Sequence, residues 1–322
     1  MRALLCLLVV TAACSSAPAA GDASVTDAAT DAPADVSAMT DGDVVSDASE
    51  AAVRVERGPA RVALDGDPNG LWWDSAERTL YIADNANNRV LAWRDGASTS
   101  VFVELPPGPP TGPGLGQLVR TADGTIVVTR FGDGTAGDVV YASRDGTVGR
   151  ISNLDVTRRR IGLTVASDGT LYDGWFIRGS SGRVGTVSTL SLGGSEVEAL
   201  GGLTKPVGVL AVGAQLFVSD QDRNEVLVVD RASPSSSMRR FAMVTGPDLL
   251  CAGPAGSLFS GSTSGVVYRI ASDGSVTTFD TGYQSTRGVA YDAENRRLFV
   301  ADHDTNAADG ITHQIRIVPV DS

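Results

Sequence analysis

One short pattern, a variable residue followed by glycine and an apolar residue, recurs along most of this chain. Clear copies begin at Asn69, Ile161, Val207 and Arg287, and weaker copies begin at Gln117 and Asp248. The intervals between successive starts are 48, 44, 46, 41 and 39 residues. Such a period is typical of repeat proteins, in which one small unit is used several times because it cannot bury its apolar face alone.

Each copy reads as a set of short strands. In the first unit, the apolar run 71–73 is followed by a polar turn, a second run at 80–84, an Asn-rich loop and the run 89–93. Apolar residues alternate with polar ones or form short runs between turn residues, and no segment has a helical period. The sequence therefore predicts six copies of a β-meander.

The strands at the two ends of the repeat array predict how the units are arranged. The sixth unit stops at Ser322 after its third strand, whereas the segment 58–66 has the pattern of a fourth strand but precedes the first unit. If 58–66 pairs with the third strand of the last unit, within 313–320, no long sheet edge stays exposed. We therefore predict an all-β fold over residues 53–322, a six-bladed β-propeller closed by an N-terminal strand.

The first residues indicate export. Residues 1–13 contain Arg2, an apolar stretch and small residues, and this is the pattern of a signal peptide. Ala12, Ala13 and Cys14 resemble the lipobox of bacterial lipoproteins, which implies that Cys14 is lipidated and anchors the protein at the cell envelope. The alternative is an ordinary cleaved signal with an incidental cysteine, which would give a secreted protein.

The segment 15–52 predicts a disordered tether. It contains eight acidic residues, no basic residue and no aromatic residue, so it cannot bury enough apolar surface to offset its chain entropy. The net charge of the whole chain is −12, and residues 53–322 account for only −5 of it. This mild charge indicates no nucleic-acid partner. We expect a monomer that contacts the membrane only through the lipid anchor at residues 14–52.

Several motifs resemble known families. YIADNANNRV (81–90) resembles the NHL repeat, and the segments 69–84 and 287–302 are similar to the gluconolactonase and regucalcin (senescence-marker-protein) group. The resemblance covers about residues 58–322 at the level of the fold, and specific motifs match only in units one, four and six. It implies a six-bladed propeller with a ligand site at one end of the central channel.

The first residues of the six inner strands should surround that end of the channel. Four of them are polar, and we predict that they bind a small molecule or a protein, with two residues of the irregular segment 172–183 overhanging them. The predicted ligand-binding residues are Asn69, Gln117, Asp173, Trp175, Asp248 and Arg287.

The resemblance also implies a possible cofactor. In the gluconolactonase-like group a calcium-type divalent cation is held by Glu, Asn and Asp side chains, and the matching positions here are Asn69 and Asp248. The matching Glu is absent, and Ile161 and Val207 are apolar, whereas such a cation prefers six or more oxygen ligands. The alternative is that Asp248 forms an ion pair with Arg287 and no metal is bound.

Two functions are compatible with these residues. The first is a surface-anchored propeller lipoprotein that binds a ligand or partner at the channel mouth, and the missing Glu favours it. The second is a metal-dependent lactone hydrolase of the gluconolactonase type, which the matches at Asn69 and Asp248 favour. The sequence contains no Ser nucleophile elbow and no Cys–His signature, so it identifies no catalytic residue.

The lipid anchor is testable by a single substitution. Because acylation requires the thiol, we expect Cys14→Ser to release the protein from the membrane fraction or to leave its precursor unprocessed. Membrane fractionation and precursor size on a gel measure this. A Cys14→Ser protein that is matured and fractionates like the wild type would contradict the anchor.

Overall fold

The computed structural model describes residues 60–108, 114–303 and 313–321. The chain separates into two units, Met1–Arg54 and Val55–Ser322, and every described residue belongs to the second. The predicted signal peptide, the lipidated Cys14 and the acidic tether therefore lie outside the described residues.

The described residues form 24 strands in six four-stranded antiparallel sheets, which are the blades of a propeller. One strand, β1 (Ala60–Ala63), precedes the first blade. The first blade comprises β2 (Pro68–Asp74), β3 (Thr79–Asp84), β4 (Arg89–Trp93) and β5 (Ser100–Glu104). The second comprises β6 (Leu115–Arg120), β7 (Ile126–Arg130), β8 (Asp138–Ala142) and β9 (Val148–Arg150).

The third blade comprises β10 (Arg159–Val165), β11 (Leu171–Gly179), β12 (Gly182–Leu190) and β13 (Glu196–Leu203). The fourth comprises β14 (Pro206–Val212), β15 (Gln215–Asp220), β16 (Glu225–Asp230) and β17 (Arg239–Met243). The fifth comprises β18 (Pro247–Ala252), β19 (Leu258–Ser262), β20 (Val266–Ile270) and β21 (Val276–Thr281). The sixth begins with β22 (Thr286–Asp292), β23 (Arg297–Asp302) and β24 (Gln314–Pro319).

Helical structure is minor in the described residues. It consists of one four-residue helix, α1 (Pro234–Ser237), and three 3₁₀ turns, at Gly132–Gly134, Gln221–Arg223 and Pro254–Gly256. None of the helices in this part of the chain has the length and apolar character needed to cross a membrane.

The sixth blade is completed by β1, as the sequence predicts. β1 pairs antiparallel with β24, and Ala60 and Val62 lie opposite Ile317 and Ile315. The sheet order is β1-β24-β23-β22, so the outer strand of the last blade comes from the start of the domain. The six-bladed propeller and its closure by an N-terminal strand are thus confirmed.

Apolar side chains fill the spaces between neighbouring blades. Six buried clusters occur, one for each of the six blade–blade contacts around the ring. The cluster between the last and first blades, for example, includes Leu71 and Trp93 together with Phe299 and Ile315. Because each blade contributes to two clusters, neighbouring blades stabilise one another.

The repeated glycine of the sequence pattern lies where two inner strands approach closely. A Cβ atom at Gly288 would lie 2.2 Å from the backbone oxygen of Asn69, and one at Gly208 would lie 2.4 Å from that of Asp248. No larger residue can be placed there without moving the backbone. The glycines therefore keep the inner strands packed around the axis.

Removal of β1 should destabilise the propeller. The side chains of β1 are mostly exposed, so its four paired residues contribute mainly through the ladder, at about 0.5–1.5 kcal/mol for each hydrogen bond. We expect a chain beginning at residue 64 to be less stable by about 2–4 kcal/mol than a chain beginning at residue 53. Urea unfolding of the two chains measures the difference, and equal stability would show that β1 does not close the ring.

Candidate functional site

A cavity of about 310 Å³ opens at one end of the central channel. The first residues of the inner strands and the loops that join second to third strands line it. Three predicted site residues, Asn69, Asp248 and Arg287, are brought together in its lining, beside the apolar Ile161 and Val207.

Buried carboxylates at the ends of second strands position this lining. The backbone N–H of Asp67 donates to Asp84 Oδ1 at 3.0 Å. In the fourth blade, the N–H groups of Thr204 and Lys205 donate to Asp220 at 2.7 and 2.9 Å. Each carboxylate accepts from the segment that precedes an inner strand, so the start of that strand is fixed against the end of the second.

Asp248 and Arg287 form an ion pair across the fifth and sixth blades. Arg287 Nη1 lies 3.1 Å from Asp248 Oδ2. Burial raises the pKa of the Asp248 carboxyl, although Arg287 and Lys205 oppose this shift. The structure therefore contains the ion pair that the sequence left open as an alternative to a metal.

The residues around the channel axis do not fit a calcium-type cation. Asp248 faces a guanidinium, and the neighbouring positions are the apolar Ile161 and Val207. The Asn69 side chain uses its Nδ2 to donate to Leu115 O at 2.6 Å, which leaves only Oδ1 as a ligand. The Asp248 carboxylate and Asn69 Oδ1 together provide far fewer than the six or more oxygens that calcium prefers.

Gln117 lies away from this cavity. In the second blade Leu115 is opposite Arg130, the last residue of β7, just as Pro68 is opposite Asp84, the last residue of β3. Gly116, and not Gln117, is therefore the counterpart of Asn69 in the strand pairing. Gln117 is buried, its Nε2 donates to Leu71 O at 3.3 Å, and it lines a separate, mostly apolar cavity of about 250 Å³.

Asp173 is buried inside the third blade and does not overhang the channel mouth. It is 0% exposed and pairs with Arg160, which also contacts Glu196 at 2.9 Å. Burial raises the pKa of Asp173 to about 6, against the opposing effect of the Arg160 guanidinium. The Asp173 carboxylate thus forms its ion pair with Arg160 inside the third blade.

Trp175 is also packed within the blade. Its Nε1 donates to Ser188 Oγ at 2.8 Å. The guanidinium carbon Cζ of Arg158 lies 3.9 Å from the centroid of the Trp175 ring. The segment 172–183, expected to be a loop, is instead a hairpin of β11 and β12. Alternate residues of a strand face opposite sides, so Phe176 and Arg178 line the cavity while Trp175 does not.

Basic side chains outnumber acidic ones among the described residues of the cavity lining. In this part of the chain two carboxylates, those of Asp67 and Asp248, line it together with five cationic residues. The cationic residues are Arg159, Arg178, Arg183, Lys205 and Arg287, and we call them the cationic wall. Of these five, only Arg287 is among the predicted ligand-binding residues, because the others lie at or next to strand ends whose facing depends on the tertiary fold.

The members of the cationic wall are partly paired at its outer side. Arg183 Nη1 lies 2.5 Å from Asp222 Oδ2, and Arg159 Nη2 donates to Asp133 O at 2.7 Å. Arg178 is exposed and has no carboxylate within ion-pair distance among the described residues.

Burial and crowding disfavour the charged forms of two wall residues. The pKa of Lys205 is lowered by burial and then by the nearby Arg183. The pKa of Arg159 is lowered by burial and then by Arg178. An anion in the cavity would relieve both effects, so the arrangement favours a negatively charged ligand.

A carboxylate and an imidazole meet at the rim of the same cavity. Asp67 Oδ1 is in contact with His303 Nδ1, and Asp67 Oδ2 accepts from Asn85 Nδ2 at 2.8 Å. Burial raises the pKa of Asp67, but the hydrogen bonds from His303 and Asn85 outweigh this and lower it overall. Neither Asp67 nor His303 was predicted as a site residue, although the chain has only two histidines and they lie just before and just after residues 304–312.

Comparison with solved structures identifies similar propellers. A gluconolactonase from Xanthomonas campestris has a TM-score of 0.62 and 21% identity, and the match covers 82% of this chain and 99% of that protein. The calcium-binding protein regucalcin from Agrobacterium tumefaciens has a TM-score of 0.62 and 15% identity, with coverages of 81% and 97%. A luciferin-regenerating enzyme has a TM-score of 0.63 and 15% identity, with coverages of 81% and 95%.

The resemblance to the gluconolactonase and regucalcin group is confirmed. At these identities it is a likeness of fold. No protein-family model and no curated protein sequence matches the chain.

The ion pair at the channel mouth predicts a pH-dependent stability change. Arg287→Gln leaves the buried Asp248 without its cation, and we expect a loss of about 1–3 kcal/mol near neutral pH. This is below the roughly 3–5 kcal/mol of a fully buried pair, because the Arg287 side chain is 36% exposed.

The sign of the pH effect follows from the pKa of Asp248. Loss of Arg287 raises the pKa of Asp248 in the folded state further above its value in the unfolded chain. The folded variant therefore retains the Asp248 proton to higher pH. The variant should therefore lose stability relative to wild type as pH rises from the unfolded pKa through the folded pKa. Urea unfolding at about pH 5 and about pH 8 measures this, with Arg239→Gln on an outer strand as the control. An equal loss at both pH values would contradict the assignment.

Proposed function

We propose that this protein hydrolyses small lactones in the channel-mouth cavity and binds an anionic group through the cationic wall. The observation that carries the proposal is the convergence of five basic side chains on a cavity of about 310 Å³ in a chain of net charge −12. This volume is at the lower end of those of small-molecule sites. A sugar-sized lactone is of matching size.

The charges of the wall suit the chemistry of lactone opening. Water adds to the ring carbonyl, the tetrahedral intermediate carries an oxyanion, and cleavage of the ring C–O bond gives a hydroxyl and a carboxylate. Fixed cations stabilise such an oxyanion more in a partly buried site than in bulk water. The same cations would hold the carboxylate of the product or of an acidic substrate.

The rim supplies a group that can activate the water. Asp67 contacts Nδ1 of His303, which leaves Nε2 as the nitrogen that can accept a proton. A carboxylate in this position orients the imidazole and stabilises its protonated form. Because His303 lines the cavity, its proton transfer would occur beside the cationic wall.

Similar structures support a hydrolase. One of them is named a gluconolactonase, and its match covers 82% of this chain. Another is named a calcium-binding protein, but the axial residues of this chain do not fit that ion. In this chain the rim would therefore activate the water, and the cationic wall would polarise the substrate.

A second candidate is an anion-binding propeller without turnover, displayed at the cell envelope through a lipid on Cys14. The specific observation that favours it is the ion pair of Asp248 and Arg287 beside Ile161 and Val207. These groups occupy the positions where the resemblance implies a catalytic cation.

Substitution of one wall residue tests the hydrolase. Arg178 is exposed and without an ion-pair partner in the described part of the chain, so Arg178→Gln should fold normally. Loss of a charge-assisted contact of about 1.5–3 kcal/mol corresponds to a decrease in kcat/KM of roughly ten- to a hundredfold. We expect this decrease for lactones that carry a carboxylate and a smaller one for neutral lactones.

A panel of five- and six-membered lactones, assayed by acid release in a pH-stat, measures the effect. Arg239→Gln removes an exposed arginine on β17, far from the cavity, and is the matched control. Absence of turnover in the wild type would refute the hydrolase. Saturable binding of the carboxylates without turnover would instead establish the second candidate.

A further inference from the structure

Three potential metal ligands converge at the rim of the channel mouth. The side chains are those of Asp67, His303 and His313, and one donor atom from each lies within 4.8 Å of the other two. The two imidazole rings are adjacent, with centroids 4.9 Å apart. Elsewhere in the described residues, no three His, Cys, Asp or Glu donors come this close together.

One ligand atom lacks a hydrogen-bond partner. His313 Nδ1 is buried and accepts or donates no hydrogen bond within the described structure. It lies 3.7 Å from Asp67 Oδ1, which is too long for a hydrogen bond. A buried polar atom without a partner requires a reason, and a cation between these two atoms would satisfy both.

One of the distances between donors is close to that around a small tetrahedral cation. Ligand atoms at about 2.0–2.2 Å from such an ion lie roughly 3.3–3.6 Å from one another, so the 3.7 Å between His313 and Asp67 needs almost no change. His303 Nδ1 and Asp67 Oδ1 are in direct contact and lie closer together than two ligands of one ion do. A metal between these two atoms would replace their direct contact and require them to move apart.

The carboxylate is held in place by its own contacts. Asp67 Oδ2 accepts from Asn85 Nδ2 at 2.8 Å, and Asn85 Oδ1 accepts from the N–H of Leu115 at 2.8 Å. The backbone N–H of Asp67 is bound to Asp84. Hydrogen-bonded support of this kind orients the ligands of metal sites.

We propose that Asp67, His303 and His313 bind one divalent transition-metal ion of the Zn²⁺ type. Two imidazoles and one carboxylate are a donor set that suits zinc and leaves a fourth position open. Calcium and magnesium prefer oxygen ligands, so they should bind here much more weakly. Binding requires Nδ1 of each imidazole to be unprotonated, so a neutral His303 or His313 would carry its proton on Nε2 when the metal is bound.

The site has a direct consequence for chemistry, and this step rests on the proposed lactone hydrolysis. Asp67 and His303 line the cavity, so water in the open position would lie beside the substrate. A zinc-type ion lowers the pKa of bound water to about 7. The metal would then activate the attacking water in place of the imidazole alone.

Direct metal binding tests the proposal without reference to activity. Co²⁺ is titrated into metal-free protein prepared without a polyhistidine tag, and visible absorption and calorimetry are recorded. We expect one equivalent to bind with the bands of four-coordinate cobalt, to be displaced by Zn²⁺, and to be unaffected by Ca²⁺ or Mg²⁺.

Two variants and a control assign the ligands. His313→Asn removes the imidazole but retains a residue that tolerates the positive φ of 56° at this position. It and His303→Gln should weaken Co²⁺ binding by at least about tenfold. Asp273→Asn, at an exposed turn, should leave binding unchanged. Thermal unfolding in chelator verifies folding, and if His313→Asn is unstable, His303→Gln decides.

The outcomes separate the metal site from the hydrolase. No saturable Co²⁺ binding in wild type, or unchanged affinity in the folded histidine variants, would overturn the metal site. Binding without lactone turnover would uphold the site and refute the proposed hydrolase. Turnover that persists in chelator would uphold the hydrolase and overturn the catalytic role of the metal.

Discussion

The structure depends on closure of a ring by strands from opposite ends of the domain. β1 completes the sixth blade by pairing with β24, and this contact lets the last blade pack against the first through the cluster that includes Leu71 and Phe299. The same closure has a chemical consequence. Asp67 follows β1 and His303 follows β23, and they meet although 236 residues separate them. The rim of the cavity is thus a product of the closed ring.

Charge is distributed unevenly between the chain as a whole and the channel mouth. The chain carries a net charge of −12, yet basic side chains outnumber acidic ones among the described residues that line the cavity. Part of the wall is held by carboxylates outside the cavity, such as Asp222 beside Arg183. Such a partner fixes a cation in position but offsets part of its field. Arg178, which has no carboxylate partner among the described residues, therefore contributes most to the attraction of an anion.

The polar chemistry of the channel mouth is located at the rim and not at the axis. Around the axis, Asp248 is neutralised by Arg287 and its neighbours Ile161 and Val207 are apolar, so a hard cation has too few oxygen ligands there. At the rim, imidazoles and a carboxylate are supported by Asn85 and Asp84. A propeller can therefore retain its architecture while the position of its reactive groups changes, because loops and strand ends carry them.

The sequence by itself determined the six blades, the closing strand and the end of the channel where Asn69, Asp248 and Arg287 meet. These follow from a repeat period and from alternation along strands, which are local properties of the chain. Only the tertiary structure decided which side chains face the cavity. A shift of one residue in the second blade moved Gln117 away from it, and continuation of β11 as a strand placed Trp175 within the blade and Arg178 in the cavity lining. Likewise, the contact of Asp67 with the two histidines has no local signature, because it exists only when the first and last blades are joined.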